Sequence, residues 1–205
     1  MKQMWYTQTT ASVISFFDYK THKFTNYPLP NPLASPLGLI VASDKNVWFT
    51  QLLSSAIGKF DTSTKKFTIY PLPLTLSQPA VIRAESVENG QKYLYFTSLT
   101  ADALGRINLA TGDITTYTTP FVGTLPAEDT IDKDGRVWFS SFTQNVLGVF
   151  DTKTKSFDQV VPPGTVVGMP VSVPPAVDVA IHYDEGTNSI WYAGVANQQI
   201  GRYQL

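Results

Sequence analysis

An aromatic residue followed ten positions later by a small one recurs five times along this chain of 205 residues. The anchors are Trp5, Trp48, Tyr95, Trp138 and Trp191, and the small partners are Ser15, Gly58, Gly105, Gly148 and Gly201. In four units an apolar residue stands nine positions further on, at Phe24, Phe67, Ile114 and Phe157. The anchors are 43, 47, 43 and 53 residues apart. Fixed internal offsets within a variable period describe one structural unit repeated, with its length changes gathered in one loop.

Each unit reads as four strands. The anchor lies in an aromatic, β-forming run such as Val47-Trp48-Phe49-Thr50 or Val137-Trp138-Phe139-Ser140, which suits a pleated, buried surface. A shorter run follows, as in Ala56-Ile57-Gly58-Lys59-Phe60, where the glycine predicts a close backbone approach or a bulge. Polar turns come next, at Asp18 to Lys23, Asp61 to Lys66, Asn108 to Asp113 and Asp151 to Ser156. The outermost strand, such as Phe67-Thr68-Ile69-Tyr70, stops at a proline, which cannot donate to a ladder. The innermost strand precedes each anchor, at Leu37 to Ala42, Ala80 to Ala84, Ala127 to Ile131 and Ala176 to Ile181. No segment of ten or more residues has a helical period.

The expected fold is therefore all-β, a β-propeller of about five four-stranded blades, three complete and two terminal partial. The units are 1–35, 36–78, 79–125, 126–174 and 175–205 of a single repeat domain. The first lacks its innermost strand and the last its outermost, so merging them does not give one complete blade. The C-terminal part of a longer propeller, an open arc and a strained five-bladed closure all fit this count, and the first two are preferred.

Composition narrows the function classes. Charged residues make up 15% and the formal net charge is −1, so nothing draws the chain to nucleic acid or an anionic membrane. It has no cysteine, which removes disulfides, thiolate zinc sites and cysteine nucleophiles. Neither a signal peptide nor a membrane helix is apparent, and the compartment is left open.

The unit resembles the repeat of the streptogramin lyase (virginiamycin B lyase-like) family, seven-bladed propellers related in shape to the gluconolactonase type. The likeness rests on Pro36-Leu37-Gly38-Leu39, Val47-Trp48-Phe49-Thr50, Ile57-Gly58-Lys59-Phe60-Asp61 and Ile69-Tyr70-Pro71-Leu72-Pro73. The resemblance implies lyase chemistry with histidines, glutamates and magnesium at a central channel. Yet the stretch matching the family's Glu-Pro-His-Gly-Ile reads Pro174-Pro175-Ala176-Val177-Asp178. The glutamate that closes the family's anchor strand is replaced by Gln8, Gln51, Ser98, Ser141 and Gly194. Glutamine and serine cannot do that proton work.

Channel-lining candidates come from the start of each innermost strand: Leu37, Ala80, Glu128, Asp129 and Asp178. Glu128-Asp129 aligns with Gly38-Leu39, and Asp178 takes the same place as Asp129 in the last unit. Converging carboxylates could hold magnesium or calcium, with Glu128 and Asp129 as the metal ligands; the bland alternative is that they meet backbone amides or solvent. His22 reads as solvated turn, His182 as the end of an innermost strand, Arg106 and Arg202 as scaffold, and the tryptophans as core. Three functions compete: a non-catalytic module binding a small molecule or protein at a propeller face, a metal-dependent lyase or lactone hydrolase with relocated ligands, and a partial copy of a longer enzyme that self-associates through open blade edges.

Overall fold

The computed structural model describes residues 3–74, 76–144, 146–161, 178–194 and 199–205. Among them every regular element is a strand, and the strands form five sheets. The first sheet holds β1 (Gln3–Gln8), β2 (Val13–Asp18) and β3 (Lys23–Pro28). The second holds β4 (Pro36–Val41), β5 (Val47–Gln51), β6 (Ala56–Phe60) and β7 (Phe67–Pro71). The third holds β8 (Pro79–Glu88), β9 (Gln91–Ser98), β10 (Ala103–Asn108) and β11 (Ile114–Thr118). The fourth holds β12 (Pro126–Ile131), β13 (Arg136–Ser141), β14 (Leu147–Asp151) and β15 (Phe157–Val160). The last holds β16 (Asp178–Asp184), β17 (Ser189–Gly194) and β18 (Gln199–Gln204).

The strands of each sheet lie in chain order, so each sheet is a meander, and the expected series of three, four, four, four and three strands is the one observed. Of the innermost strand expected at Ala176 to Ile181, residues 176 and 177 lie outside the described residues. The chain packs as two compact units, 1–82 and 83–205. In the first, Ile14, Val47, Phe49 and Phe60 form a buried core against which Trp5 and Tyr27 pack. In the second, one cluster gathers Tyr95, Leu104, Phe139 and Phe150, and another gathers Trp138, Leu147, Ile181 and Ile190.

The repeat glycine has a different cause from the one expected. Gly58 lies opposite Phe49, Gly105 opposite Phe96, Gly148 opposite Phe139 and Gly201 opposite Tyr192. In each case the aromatic ring lies flat over the glycine, and an added Cβ would stand 2.0–2.1 Å from a ring carbon. The glycine makes room for a neighbouring side chain rather than for backbone or a bulge. The first sheet is the exception, with Ser15 opposite Tyr6; there the hydroxyl donates to Asn26 Oδ1 at 2.8 Å and accepts from Gln8 Nε2 at 2.6 Å. Gly58→Ala is expected to destabilise by about 2–3 kcal/mol through overpacking, read as a lower urea midpoint with an unchanged slope.

Successive sheets are joined by hydroxyls two residues past the anchor. Thr7 donates to the Leu37 carbonyl at 2.8 Å, Thr50 to that of Ala80 at 2.7 Å, and Thr97 to that of Ala127 at 2.5 Å. Thr50 also accepts the Gly38 N–H at 2.9 Å, as Ser140 accepts that of Glu128 at 3.1 Å. The Thr50 and Thr97 hydroxyls satisfy buried peptide groups at the crowded start of an innermost strand, and that of Thr7 makes the same bond at an exposed one.

β8 and β9 are longer than their copies, at 10 and 8 residues. Their turn runs through Asn89 and Gly90, both at positive φ (49° and 77°), as the two central residues of a type I′ hairpin turn require.

Candidate functional site

The candidate residues fall into different environments. Leu37 is 40% exposed, whereas Ala80 is 2% exposed and offers only its carbonyl, already bonded to Thr50. Ala80 therefore lines no channel surface. Leu39 and Asp129 do share a register, paired with Phe49 and Phe139 respectively. Asp178 does not match Asp129. It pairs with Gly194, the position that faces Pro126 and Pro36 in the other sheets, and Ile181 takes the place of Asp129. Asp178 precedes its anchor by 13 residues and Asp129 by only 9, and the register resolves that difference.

The acidic pair of β12 does not present two free carboxylates. Glu128 forms an ion pair with Arg83 of β8, whose side chain is 53% exposed. Burial pushes the Glu128 carboxyl above its ordinary value, and the Arg83 guanidinium opposes that rise. Asp129 is 1% exposed, and neither carboxylate oxygen has a hydrogen-bond partner of normal geometry. Burial pushes it up to about 7 against the pull of the Arg83 amide and guanidinium. Among the described residues no three His, Asp or Glu side chains converge on a point that could hold a metal ion. The metal pair expected from Glu128 and Asp129 is thus an arginine-clamped glutamate beside a buried aspartic acid.

A second constellation escaped the sequence reading. In three sheets the polar tip of the anchor donates to an acid at the preceding turn, and a cation covers both. Trp48 Nε1 donates to Asp44 at 3.1 Å, with Lys59 Nζ 3.6 Å from that acid and 5.1 Å from the ring centroid. Trp138 Nε1 donates to Asp132 at 2.8 Å, and Arg136 Nε to the same acid at 2.7 Å. Tyr95 replaces tryptophan in the third sheet, and its hydroxyl donates to Glu88 at 2.6 Å. Arg106 and Lys155 close on the other Glu88 oxygen. Burial alone would raise Glu88, but Lys155, Tyr95 and Arg106 outweigh it and hold the carboxyl below its ordinary value. Burial first, and Glu88 next, push the Tyr95 phenol far above its own. The signal was available in the sequence as an acid four, six or seven residues before these three anchors.

The strand ends differ sharply in chemistry. Turns of a meander alternate, so the β5–β6 turn shares an end with the loop entering β4. The Leu52 N–H donates to the Ser35 carbonyl at 3.0 Å, and Asn31 Nδ2 to Ser54 Oγ at 3.0 Å. At that end of the first unit Leu33, Leu53, Leu74 and Leu76 are 56–77% exposed. No described charged residue of the first unit lies there; Asp18, Lys20, Lys23, Asp44, Lys45, Asp61, Lys65 and Lys66 all occupy turns at the other end. Within the second unit the corresponding described loops expose Val122 (89%) and carry one charge, Asp102. That carboxylate is engaged by the amides of Gly123 and Leu125.

Two of the positions where the resemblance supplies a glutamate bond neighbouring structure, whereas the buried Gln51 Nε2 has no hydrogen-bond partner. Ser141 donates to the Thr124 carbonyl at 2.5 Å and accepts the Gln144 amide at 3.0 Å, and Gln8 bonds Ser15. His182 lies exposed on β16, Trp48 and Trp138 are buried, and Trp191 is 38% exposed.

Meandering sheets built on one repeated unit, with acid, aromatic and cation locking three of the five, define a β-propeller segment. The model of the virginiamycin B lyase family matches residues 1–205, and the chain belongs to that family. It is similar to virginiamycin B lyase from Staphylococcus aureus, with 26% identity and a TM-score of 0.80 over 99% of this chain and 66% of that one. A catalytically inactive variant of the same lyase, solved with quinupristin, gives 26% and 0.81 with the same coverage. A streptogramin B lyase structure gives 27% and 0.79, covering 99% of this chain and 65% of that one. The chain thus spans just under two thirds of the length of these lyases. No curated protein sequence matches it. Among the described residues no helix is long and apolar enough to cross a membrane.

Proposed function

We propose that this chain is a ligand-binding propeller segment that takes a largely apolar ring compound of the quinupristin kind at its loop end and holds it without cleaving it. The observation that carries this reading is the charge-free end of the first unit, with Leu33, Leu53, Leu74 and Leu76 exposed beside Leu37. Exposed apolar side chains gathered at one strand end mark a binding site for a partner with apolar surface of its own. The inactive lyase crystallised with quinupristin is the relative that suggests the compound class.

Three features favour retention over turnover. The anchor-strand glutamates are replaced, and Gln8 bonds Ser15 of the neighbouring strand while Ser141 bonds the loop entering β12. Glu128 is neutralised by Arg83. Asp129 is sealed from solvent. A relocated metal-dependent lyase using Glu128, Asp129 and Asp178 fits less well, because Asp178 stands in the register position of Pro126.

Leu33→Asp combined with Leu53→Asp places two charges on exposed loop positions and should leave the fold intact. Calorimetric titration of quinupristin is expected to show at least tenfold weaker binding, since one buried leucine contributes about 1.5–3 kcal/mol. Equal affinity of the double variant and the parent would place the ligand elsewhere.

A further inference from the structure

One packing rule joins neighbouring sheets inside each unit. An anchor and the apolar residue nine positions on pack against the two residues flanking the next anchor and the residue twelve beyond it. In the first unit Trp5 and Ile14 share a cluster with Val47, Phe49 and Phe60. In the second, Tyr95 and Leu104 share one with Val137, Phe139 and Phe150, and Trp138 and Leu147 share one with Ile190, Tyr192 and Tyr203. Each junction thus has an inserting face, led by the anchor, and a receiving face, led by its neighbour's flanking residues.

The first sheet leaves a receiving face exposed, and the last sheet an inserting one. Met4 and Tyr6 flank the first anchor, Phe17 stands twelve beyond it, and Phe24 is the copy of Phe67 and Phe157. The Phe24 ring packs on Tyr6 and Phe17 at 6.2 and 4.7 Å, yet Phe24 is 63% exposed and Met4 42%. Their copies Phe49, Phe60, Phe139 and Phe150 are fully buried. On the last sheet Trp191 is 38% exposed and Ile200, nine positions on, is 78% exposed, whereas their copies Trp138 and Leu147 are buried. Exposed aromatic and aliphatic groups in such an arrangement mark a protein interface.

Charge follows the same division. Lys65 and Lys155, seventeen residues after their anchors, reach the Tyr27 and Tyr117 rings of the preceding sheets, each at 5.9 Å. Lys155 also pairs with Glu88, seven residues before the Tyr95 anchor. On the first sheet His22 holds the place of these lysines, with the same positive φ (53° against 60° and 59°), and Lys20 and Lys23 stand beside it. The Asp18 carboxylate of that turn is taken up by the Lys20 amide. On the last sheet Asp184 holds the place of Glu88, followed by Glu185, and its turn has no lysine or arginine. Asp184 bonds Gly186 and Thr187 within the turn.

We infer that this chain associates with a second copy of itself, seating the Trp191 and Ile200 face of one copy's last sheet on the Met4, Tyr6, Phe17 and Phe24 face of the other's first sheet. The contact repeats the junction that the chain already makes three times within its units. It is heterologous, so a dimer keeps one face of each kind free and grows with concentration. It does not use the leucines of the loop end.

Sedimentation velocity of the whole chain over a concentration series tests the inference, with Phe24→Asp and Ile200→Asp as the variants. The parent is expected to form species above the single-chain mass. Each variant alone should need roughly tenfold or more higher concentration to do so. An equal mixture of the two should form a complex of two chains and nothing larger, since each supplies the intact face the other lacks. Melting temperatures verify that the variants are folded, and Met4→Asp on the same face is read instead if Phe24→Asp melts early. A monomeric parent, a folded variant that assembles as the parent does, or a mixture that stays monomeric overturns the assignment.

Discussion

Asp129→Leu is expected to raise the unfolding free energy at pH 8 by about 3–4 kcal/mol. Leucine is the residue at the same register position in the second sheet, Leu39, and isoleucine occupies it in the last, Ile181. An aspartate at an apolar position loses its water and finds no hydrogen bond of normal geometry in exchange. The consequence is a carboxyl raised from 3.8 to about 7. Each unit of such a shift corresponds to about 1.4 kcal/mol. Because the folded value lies above the unfolded one, the folded state holds the extra proton between those limits. The contribution of this group to the parent's stability is therefore complete below about pH 4, falls as pH rises, and is lost once pH passes about 7. Urea unfolding at pH 5 and pH 8 checks the sign. The parent should lose stability over that interval, and the leucine variant should not. A parent whose stability is flat from pH 5 to pH 8 would mean that Asp129 has a partner in solution.

Glu88→Ala should act in the opposite pH direction and cost about 2–3 kcal/mol. The substitution strips the acceptor from Tyr95 and the counter-charge from Arg106 and Lys155, whose side chains are 18% and 33% exposed. Breaking a well-buried ion pair from one side costs about 3–5 kcal/mol, and the partial exposure here calls for the lower figure. The Glu88 carboxyl is held below its ordinary 4.5. Its stabilisation is therefore complete above that value and disappears as pH falls through the depressed folded value. Thermal melts between pH 3 and pH 6 should converge for parent and variant at the acid end. A constant gap across that range would assign the loss to packing alone.

The scaffold was readable because the repeat imposes local rules that each unit states separately. The ten-residue offset from Trp48 to Gly58 predicted adjacent strands and correctly counted them, from the three-stranded opening sheet to the three-stranded closing one. It could not say why Gly58 is small, because the ring that needs the space, Phe49, comes from the facing strand. Site residues were harder to read for the same reason. Ala80 and Leu37 look alike in sequence, yet one is sealed and the other exposed. Glu128 and Asp129 read as a cation pair because nothing in the local sequence announces Arg83, 45 residues earlier. Asp178 was misplaced by three positions. The innermost strand has no aromatic anchor of its own, and only pairing with β17 fixes its register. The acid–anchor–cation locks went unread because their spacing changes with turn length, from Asp44–Trp48 to Glu88–Tyr95.

The central claim is retention of an apolar ring compound without its cleavage, and titrating quinupristin into the protein with magnesium present tests it most directly. The recovered ligand is then analysed by mass spectrometry. The account predicts saturable binding and a ligand recovered with its original mass and chromatographic position. Time-dependent appearance of a ring-opened product would contradict it and show a lyase acting through residues other than the matched glutamates. Absence of any binding heat would contradict it from the other side, leaving the leucine-bearing end without this ligand.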